Sequence, residues 1–238
     1  MPAPRRHTLS VIFTVAPLLL AAPASAQLGV SVSADSDYRL DGVSLSDEKP
    51  DLSLSVVYDH SSGFYGGGSL IGAEGLHGGV RFLGDVEYIG YAARFDATNS
   101  WDVGVTNSNI EEEIPRSYNL HYTEIYVGFV RDDFNAHIYY SPNYLGGGVS
   151  AAYLDLNGNV RPARQWRLFG HVGVLTPVGG WAGPGSRRER YDLRTGVAAE
   201  FRGGELRLAW TTTSPDLDYP LGHRQGGAAL VLGSALFF

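Results

Sequence analysis

Residues 164–175 read RQWRLFGHVGVL, and the side chains along this stretch alternate in polarity. One parity carries the apolar residues Trp166, Leu168, Val172 and Val174. The other parity is mainly polar and carries Gln165, Arg167, Phe169 and His171. A helix would spread the charges around its circumference, whereas a β-strand puts them on one face. The stretch therefore predicts a strand in the wall of a membrane barrel, where one face meets lipid and the other the lumen.

The same two-residue period recurs in RERYDLRTGVAAEF (188–201) and GELRLAWTT (204–212). Twelve candidate strands follow from it: 28–40, 50–60, 63–73, 83–95, 100–109, 119–131, 133–143, 147–157, 164–175, 188–201, 204–213 and 226–238. The fourth strand has ambiguous facing, because Asp85 and Glu87 share parity with Ile89 and Tyr91, and the eighth is weak. Short and long connections alternate, apart from a short one near Leu145. We predict an all-β transmembrane antiparallel up-and-down β-barrel of about twelve strands with periplasmic termini.

Aromatic residues lie near the predicted strand ends, where a membrane barrel carries its interfacial girdles. They are Tyr38, Tyr58, Phe95, Trp101, Phe201 and Trp210. This distribution indicates two interfaces with the headgroup region of a membrane.

The two ends of the chain indicate export and membrane insertion. Arg5 and Arg6, an apolar run and a small-residue site before Gln27 predict a signal peptide over 1–26 and a barrel domain over 27–238. Removing those arginines lowers the formal net charge from −7 to −9, which disfavours nucleic acid as a partner. The alternating final stretch predicts that Phe238 is part of an assembly signal read by the barrel assembly machinery. Without cysteine, the chain has no disulfides or thiol chemistry.

Residues 34–50, ADSDYRLDGVSLSDEKP, come close to the spacing of a calcium-binding loop. Arg39 stands at the third ligand position, where a cation would be repelled, so we predict no metal site here. We interpret the stretch as the end of the first strand, in which Tyr38 and Leu40 face lipid. The residues of the other parity then face the lumen, and they are Asp35, Asp37, Arg39 and Asp41. Gly42 to Lys49 then forms the first long loop.

This stretch also resembles the opening motif of the TorF-type porins, a conserved bacterial family of unknown function. The matching residues are Ser36, Tyr38, Arg39, Gly42, Ser44, Ser46, Lys49 and Pro50, followed by Gly63, Phe64, Tyr65 and Gly67. Gly90 and Tyr91 match a later acidic segment, whereas the family's Tyr-Pro element after the fifth strand is missing. The resemblance implies a barrel in the outer membrane of a Gram-negative bacterium, surrounded by its lipids, and implies little about the solute.

The charges of inward parity are the candidate pore-lining residues. They are Asp35, Asp37, Arg39, Asp102, Glu124, Arg167, His171, Arg190, Arg194, Glu205 and Arg207. Four of the arginines, Arg167, Arg190, Arg194 and Arg207, lie on strands nine to eleven, and most of the aspartates lie on strand one. We expect separate basic and acidic patches, which would set a transverse field across a water-filled lumen.

These features favour an outer-membrane channel for passive diffusion of small polar or charged solutes, with no catalytic residues, metal or cofactor. One alternative is a closed barrel, with its charges paired, that acts structurally or through surface contacts. A barrel hydrolase is less favoured, because no histidine lies in a recognisable nucleophile motif. The sequence leaves the solute and the formation of a homo-oligomer open.

Overall fold

The computed structural model describes residues 27–75, 77–111, 119–180, 189–214 and 227–238. The predicted signal peptide lies outside these residues and stays a prediction. The strands are β1 (Gln27–Asp35), β2 (Arg39–Leu40), β3 (Val43–Ser44), β4 (Asp51–Asp59), β5 (Phe64–Glu74), β6 (Val80–Arg94), β7 (Asn99–Glu111), β8 (Asn119–Arg131), β9 (Phe134–Tyr144), β10 (Val149–Ala163), β11 (Trp166–Gly180), β12 (Arg190–Phe201), β13 (Gly204–Thr213) and β14 (Ala229–Phe237).

Twelve of these strands form one closed antiparallel barrel in chain order, and β2 and β3 form a separate small hairpin. The barrel closes because β1 pairs with β14 on one side, Ser31 opposite Phe237, and with β4 on the other, Gln27 opposite Asp59. Closure satisfies the backbone groups that an open sheet edge would expose to lipid. The predicted fold class is confirmed. Within the described ranges no helix is long and apolar enough to cross a membrane.

The outer wall carries apolar side chains on every barrel strand, as the alternation predicted, although Glu87 of β6 is also exposed on this face. Leu54, Ile89, Val127, Leu168 and Leu208 are examples of its exposed side chains. Arginine at mid-membrane on such a face would cost about 2–4 kcal/mol, which explains why the charges take the other parity. The outward face is therefore built for hydrocarbon.

Aromatic rings collect on the outer wall at the end of the barrel that carries the short turns. Phe64 packs against Tyr91 with ring centroids 5.1 Å apart, and Tyr91 lies 6.1 Å from Trp101. Phe95 and Phe129 are also 6.1 Å apart. Of the predicted girdle residues, five are exposed: Tyr58, Phe95, Trp101, Phe201 and Trp210. Tyr38 is not, and its prediction was wrong.

The short turns bring consecutive strands together with few residues. Residues 132–133, 164–165 and 202–203 each join two strands. In the β6–β7 turn, the amides of Thr98 and Asn99 each donate to Asp96 Oδ1 at 2.8 Å. The side-chain hydrogen bond from Asn99, helped by the Thr98 amide, lowers the pKa of Asp96 to about 2. This carboxylate stabilises the turn.

The fourth predicted strand carries a β-bulge, and the residues of ambiguous facing lie beyond it, where Glu87 is exposed on the same face as Ile89. The β5–β6 register shifts where Ile71 pairs with Gly84 and Gly72 with Phe82, which leaves Leu83 as the extra residue. Leu83 is buried, whereas Glu87 and Ile89 point outward. A bulge inserts one residue and so changes the parity on either side of it. The weak eighth strand is β10, which extends past its predicted end at 157 to Ala163.

The first predicted strand ends five residues early, and this is the main correction to the predicted fold. β1 stops at Asp35, so Tyr38 and Leu40 do not continue the lipid face. Tyr38 is only 6% exposed and Leu40 packs against the interior hydrophobic cluster. Asp41 and Gly42 adopt φ values of +48° and +76°, which turn the chain back between β2 and β3. Alternation alone cannot distinguish a continuing strand from a hairpin that folds inward.

Candidate functional site in the barrel lumen

Residues 36–50, hereafter the inner loop, fold into the lumen and pack against its wall. Val43 and Leu45 are buried in a cluster with inward-facing tyrosines of the barrel. The Tyr144 hydroxyl of β9 donates a 2.9 Å hydrogen bond to Asp41 Oδ2. Lys49 Nζ donates to the Gly75 carbonyl at 3.1 Å. The inner loop is thus anchored to different parts of the barrel and occupies space that would otherwise be open.

Gly42 lies where the inner loop approaches the opposite wall most closely. A Cβ on Gly42 would come within 2.7 Å of Asp192 Cβ and 2.9 Å of Thr213 Cβ. Its positive φ adds a second reason for glycine. Any larger residue would push the hairpin away from β12 and β13.

The polar residues of the inner loop hydrogen-bond to one another. Asp37 accepts from the Ser44 hydroxyl at 2.6 Å and from the Ser46 hydroxyl at 3.2 Å, and it pairs with Arg39 Nε. The Ser46 hydroxyl accepts from the Tyr38 amide at 2.9 Å. The stretch whose spacing resembles a calcium-binding loop is therefore a turn stabilised by its own hydrogen bonds. The described residues contain no group of three potential metal ligands.

One side of the lumen, hereafter the tyrosine wall, is filled by a buried network on β5 and β7 to β9. The Tyr65 hydroxyl donates to Asp102 Oδ2 at 2.8 Å and lies 2.6 Å from the Tyr126 hydroxyl. His137 Nε2 lies 3.1 Å from Asp102 Oδ1. A Cβ on Gly128 would overlap both the His137 ring and the Asp102 carboxylate. Close packing of this kind leaves little room for solute.

Glycine opposite a tyrosine recurs around this wall. A Cβ on Gly67 would lie 2.6 Å from the Tyr88 hydroxyl, and Cβ atoms on Gly90 and Gly104 would overlap Tyr65 and Tyr126. These glycines, Gly67 among them, make room for the tyrosine rings beside them.

The opposite side, hereafter the charged wall, is formed by β1 and β11 to β14. Arg167 Nη2 lies 2.7 Å from Glu205 Oε2 and its Nε lies 2.9 Å from Glu200 Oε1. Arg207 Nη2 lies 3.0 Å from Asp35 Oδ1. The expected separation into basic and acidic patches does not occur. Closure of the barrel leaves only β14 between β1, which carries the acidic residue, and β13, which carries the basic one. Acid and base meet on one wall.

Several cavities lie between the inner loop and the charged wall, among them two that are lined by charged residues of both signs. The first has a volume of about 80 Å³, and its lining includes Asp35, Arg39, Arg194, Arg207 and Thr211. The second, of about 40 Å³, is lined in part by Arg39, Asp155, His171, Asp192 and Arg194. The space in these cavities beside the inner loop is narrow and lined by charged side chains.

His171 is held between two carboxylates in the second cavity. Its Nδ1 lies 3.0 Å from Asp155 Oδ1 and its Nε2 lies 2.7 Å from Asp192 Oδ1. The Tyr153 hydroxyl also donates to Asp192 at 2.9 Å. Asp155 escaped notice in the sequence because it lies on the weak eighth strand.

The predicted pore-lining residues thus divide into groups. The first cavity brings together Asp35, Asp37, Arg39, Arg194 and Arg207. Arg167 and Glu205 are buried as an ion pair, and Asp102 belongs to the tyrosine wall.

Arg190 lines a small cavity with Asp41 and Tyr144. Glu124 faces inward, at the parity of Tyr122 and Tyr126, and is partly exposed. The tyrosines were missed as a set, although their inward parity could have revealed them.

The profile of a bacterial family of unknown function, Gcw_chp, matches residues 21–228. The chain belongs to this family. The inner loop lies within the matched region. No curated protein sequence is significantly similar to the chain.

Solved structures of outer-membrane channels are similar in fold to this chain. A NanC porin aligns with a TM-score of 0.56 at 10% identity, covering 88% of this chain and 99% of that one. The KdgM porin aligns with a TM-score of 0.54 at 10% identity, with the same coverage. The COG4313 outer membrane channel from Pseudomonas putida F1 aligns with a TM-score of 0.53 at 12% identity, covering 92% and 97%. With the apolar outer wall, these similarities support the expected place in the outer membrane of a Gram-negative bacterium.

Proposed function

We propose that this family member is a narrow outer-membrane channel for passive diffusion of small polar or charged solutes. The observation that carries the proposal is the pair of charged cavities beside the inner loop, inside a closed barrel with an apolar outer wall. The inner loop is the constriction, and the charged wall is the side along which a solute passes. The similarity to porins supports this reading, as does the resemblance of the opening motif to the TorF-type porins.

The solute class follows from the charges along the passage. Arg39, Arg194 and Arg207 all border the first cavity, together with the carboxylates of Asp35 and Asp37. Fixed charges of both signs in a narrow path favour polar and charged solutes over apolar ones. One similar structure is a KdgM porin in complex with disordered oligogalacturonate, an acidic saccharide. Anionic solutes are therefore the first to test.

Planar lipid bilayers test the channel directly. The purified folded chain is expected to give discrete conductance steps, and Arg194→Glu is expected to shift ion selectivity toward cations. Arg131→Glu is the matched control, because Arg131 is an exposed residue beside the β8–β9 turn. Unchanged selectivity in Arg194→Glu would show that ions bypass this residue.

A closed structural barrel is the second candidate, and the packing of the interior favours it. The tyrosine wall and the Arg167–Glu205 pair fill much of the lumen. Bilayers that stay silent where a control porin conducts would support the closed barrel over the channel.

The hydrolase alternative gains no support from the contact between His60 and Ser62. His60 Nδ1 lies 2.7 Å from the Ser62 hydroxyl in an exposed turn, where the Gly63 amide donates to the His60 carbonyl. These contacts hold the turn. The role of Phe238 in assembly stays a prediction.

A further inference from the structure

Arg194 is an inward charge whose guanidinium makes no hydrogen bond. Among the described residues it makes neither a hydrogen bond nor an ion pair, and its Nε is buried without an acceptor. A guanidinium carries five donors, and a buried donor left unsatisfied destabilises the fold. A fold that retains such a group normally supplies an acceptor for it, from solvent or from a ligand.

The carboxylates on one side of Arg194 are already engaged. Asp155 and Asp192 both bind His171, at 3.0 and 2.7 Å, and Asp192 also accepts from Tyr153. Neither carboxylate bonds to Arg194.

The carboxylates of the first cavity are engaged in the same way. Asp35 accepts two hydrogen bonds from Arg207 Nη2, at 3.0 and 3.1 Å. Asp37 pairs with Arg39 and accepts from two serines of the inner loop. The first cavity is nevertheless lined by three arginines, Arg39, Arg194 and Arg207, and by only these two aspartates, so its lining carries one positive charge in excess.

The space in front of Arg194 suits a small ligand group. The first cavity, of about 80 Å³, is bordered by Arg194 and Arg207 and by the hydroxyl-bearing residues Ser33, Ser53 and Thr211. A water needs roughly 10–15 Å³ of such volume, so several waters or one carboxylate group fit there. A planar guanidinium fork matches the two oxygens of a carboxylate.

We propose that Arg194 anchors a binding site for the carboxylate of a small monoanionic solute, with the cavity hydroxyls as further donors. The site depends on the proposed function only for its use in transport. One excess positive charge in the lining of the first cavity suits a single negative charge, whereas a phosphate dianion would meet the carboxylates of Asp35 and Asp37 at short range.

The test is a titration of the folded full-length chain in detergent micelles, in low-chloride buffer, with acetate as the probe. Acetamide, which has a similar shape and no charge, is the matched ligand control. Ligand-observed NMR is expected to show saturable acetate binding, no binding of acetamide and weaker binding of inorganic phosphate. Arg194→Gln should weaken acetate binding at least tenfold, and Arg194→Lys should weaken it less. Arg131→Gln, in the exposed turn, should leave it unchanged.

Three results would overturn the site: acetate that does not saturate, acetate affinity unchanged in Arg194→Gln, or an equal loss in Arg131→Gln. Folding of each variant is checked by its heat-dependent electrophoretic mobility. If Arg194→Gln does not fold, the site is still tested by two measurements: acetate against acetamide binding to the wild type, and acetate binding to Arg194→Lys. Binding in micelles needs no open passage, so a protein silent in bilayers that binds acetate would refute the channel and keep the site.

Discussion

The hydroxyl of Tyr144 donates a hydrogen bond of 2.9 Å to Asp41, and this contact joins the tip of the inner loop to β9. The two residues are 103 positions apart in the chain. Tyr144 lies at the end of its strand on the side of the longer connections, so the bond holds the inner loop where the lumen opens toward that side. The position of the inner loop in the lumen therefore depends on a contact between a loop and a distant strand.

Tyr144→Phe is expected to loosen the inner loop without disturbing the barrel. Losing one hydrogen bond costs about 1 kcal/mol, which raises the population of a detached loop roughly fivefold. Single-channel recordings should show larger or noisier currents than the wild type. Tyr140→Phe makes the same change on the lipid-facing side of β9 and should behave as wild type. Equal recordings for the two variants would refute this anchoring role.

Gly128→Ala is expected to destabilise the barrel through the tyrosine wall. The added methyl would overlap the His137 ring and the Asp102 carboxylate, both of which are held by hydrogen bonds. Overpacking of this kind costs about 1–3 kcal/mol. Urea unfolding in lipid vesicles, followed by tryptophan fluorescence, measures the loss. Gly29→Ala is the control, since a Cβ there meets nothing within 4 Å; equal stability of the two variants would contradict the packing argument.

Leu208→Arg is expected to impair insertion, because Leu208 lies on the lipid face in the middle of β13. Arginine at that depth costs about 2–4 kcal/mol. The measurement is the folded fraction obtained with lipid vesicles. Ser61→Arg adds the same charge in an exposed turn and should fold normally. Normal folding of Leu208→Arg would argue that this wall does not face hydrocarbon.

Glu205→Gln is expected to release positive charge into the passage. The carboxylate lies 2.7 Å from Arg167 and 3.5 Å from Arg207, so its loss leaves both guanidinium groups less compensated. Ion selectivity in planar bilayers should shift toward anions. The free energy of unfolding should fall by about 3 kcal/mol, because one partner of a buried ion pair is removed. Glu74→Gln, at the exposed end of β5, is the control. A shift toward cations would contradict the assignment.

Much of the barrel could be predicted from local features. In strands such as 164–175 and 204–213, neighbouring side chains must face opposite sides, so a membrane strand leaves a two-residue period in the sequence. The number of barrel strands, the apolar wall and most of the aromatic girdle follow from that period and from the alternation of short and long connections. The predicted boundaries were less accurate, because the period fades where the strands leave the membrane.

The interior depended on contacts that no local pattern reports. Residues 36–41 continue the alternation of β1, yet they fold inward, because Asp37 is satisfied by Ser44 and Ser46 and Asp41 by Tyr144. Likewise, Asp35 and Arg207 belong to opposite ends of the chain and meet only because the barrel closes through β14. Within most barrel strands the sequence by itself determined which side chains face lipid, since that depends on parity, and residues 36–41 are the exception. Only the tertiary structure decided which interior charges pair and which, such as Arg194, make no hydrogen bond among the described residues, since that depends on closure and on the inner loop.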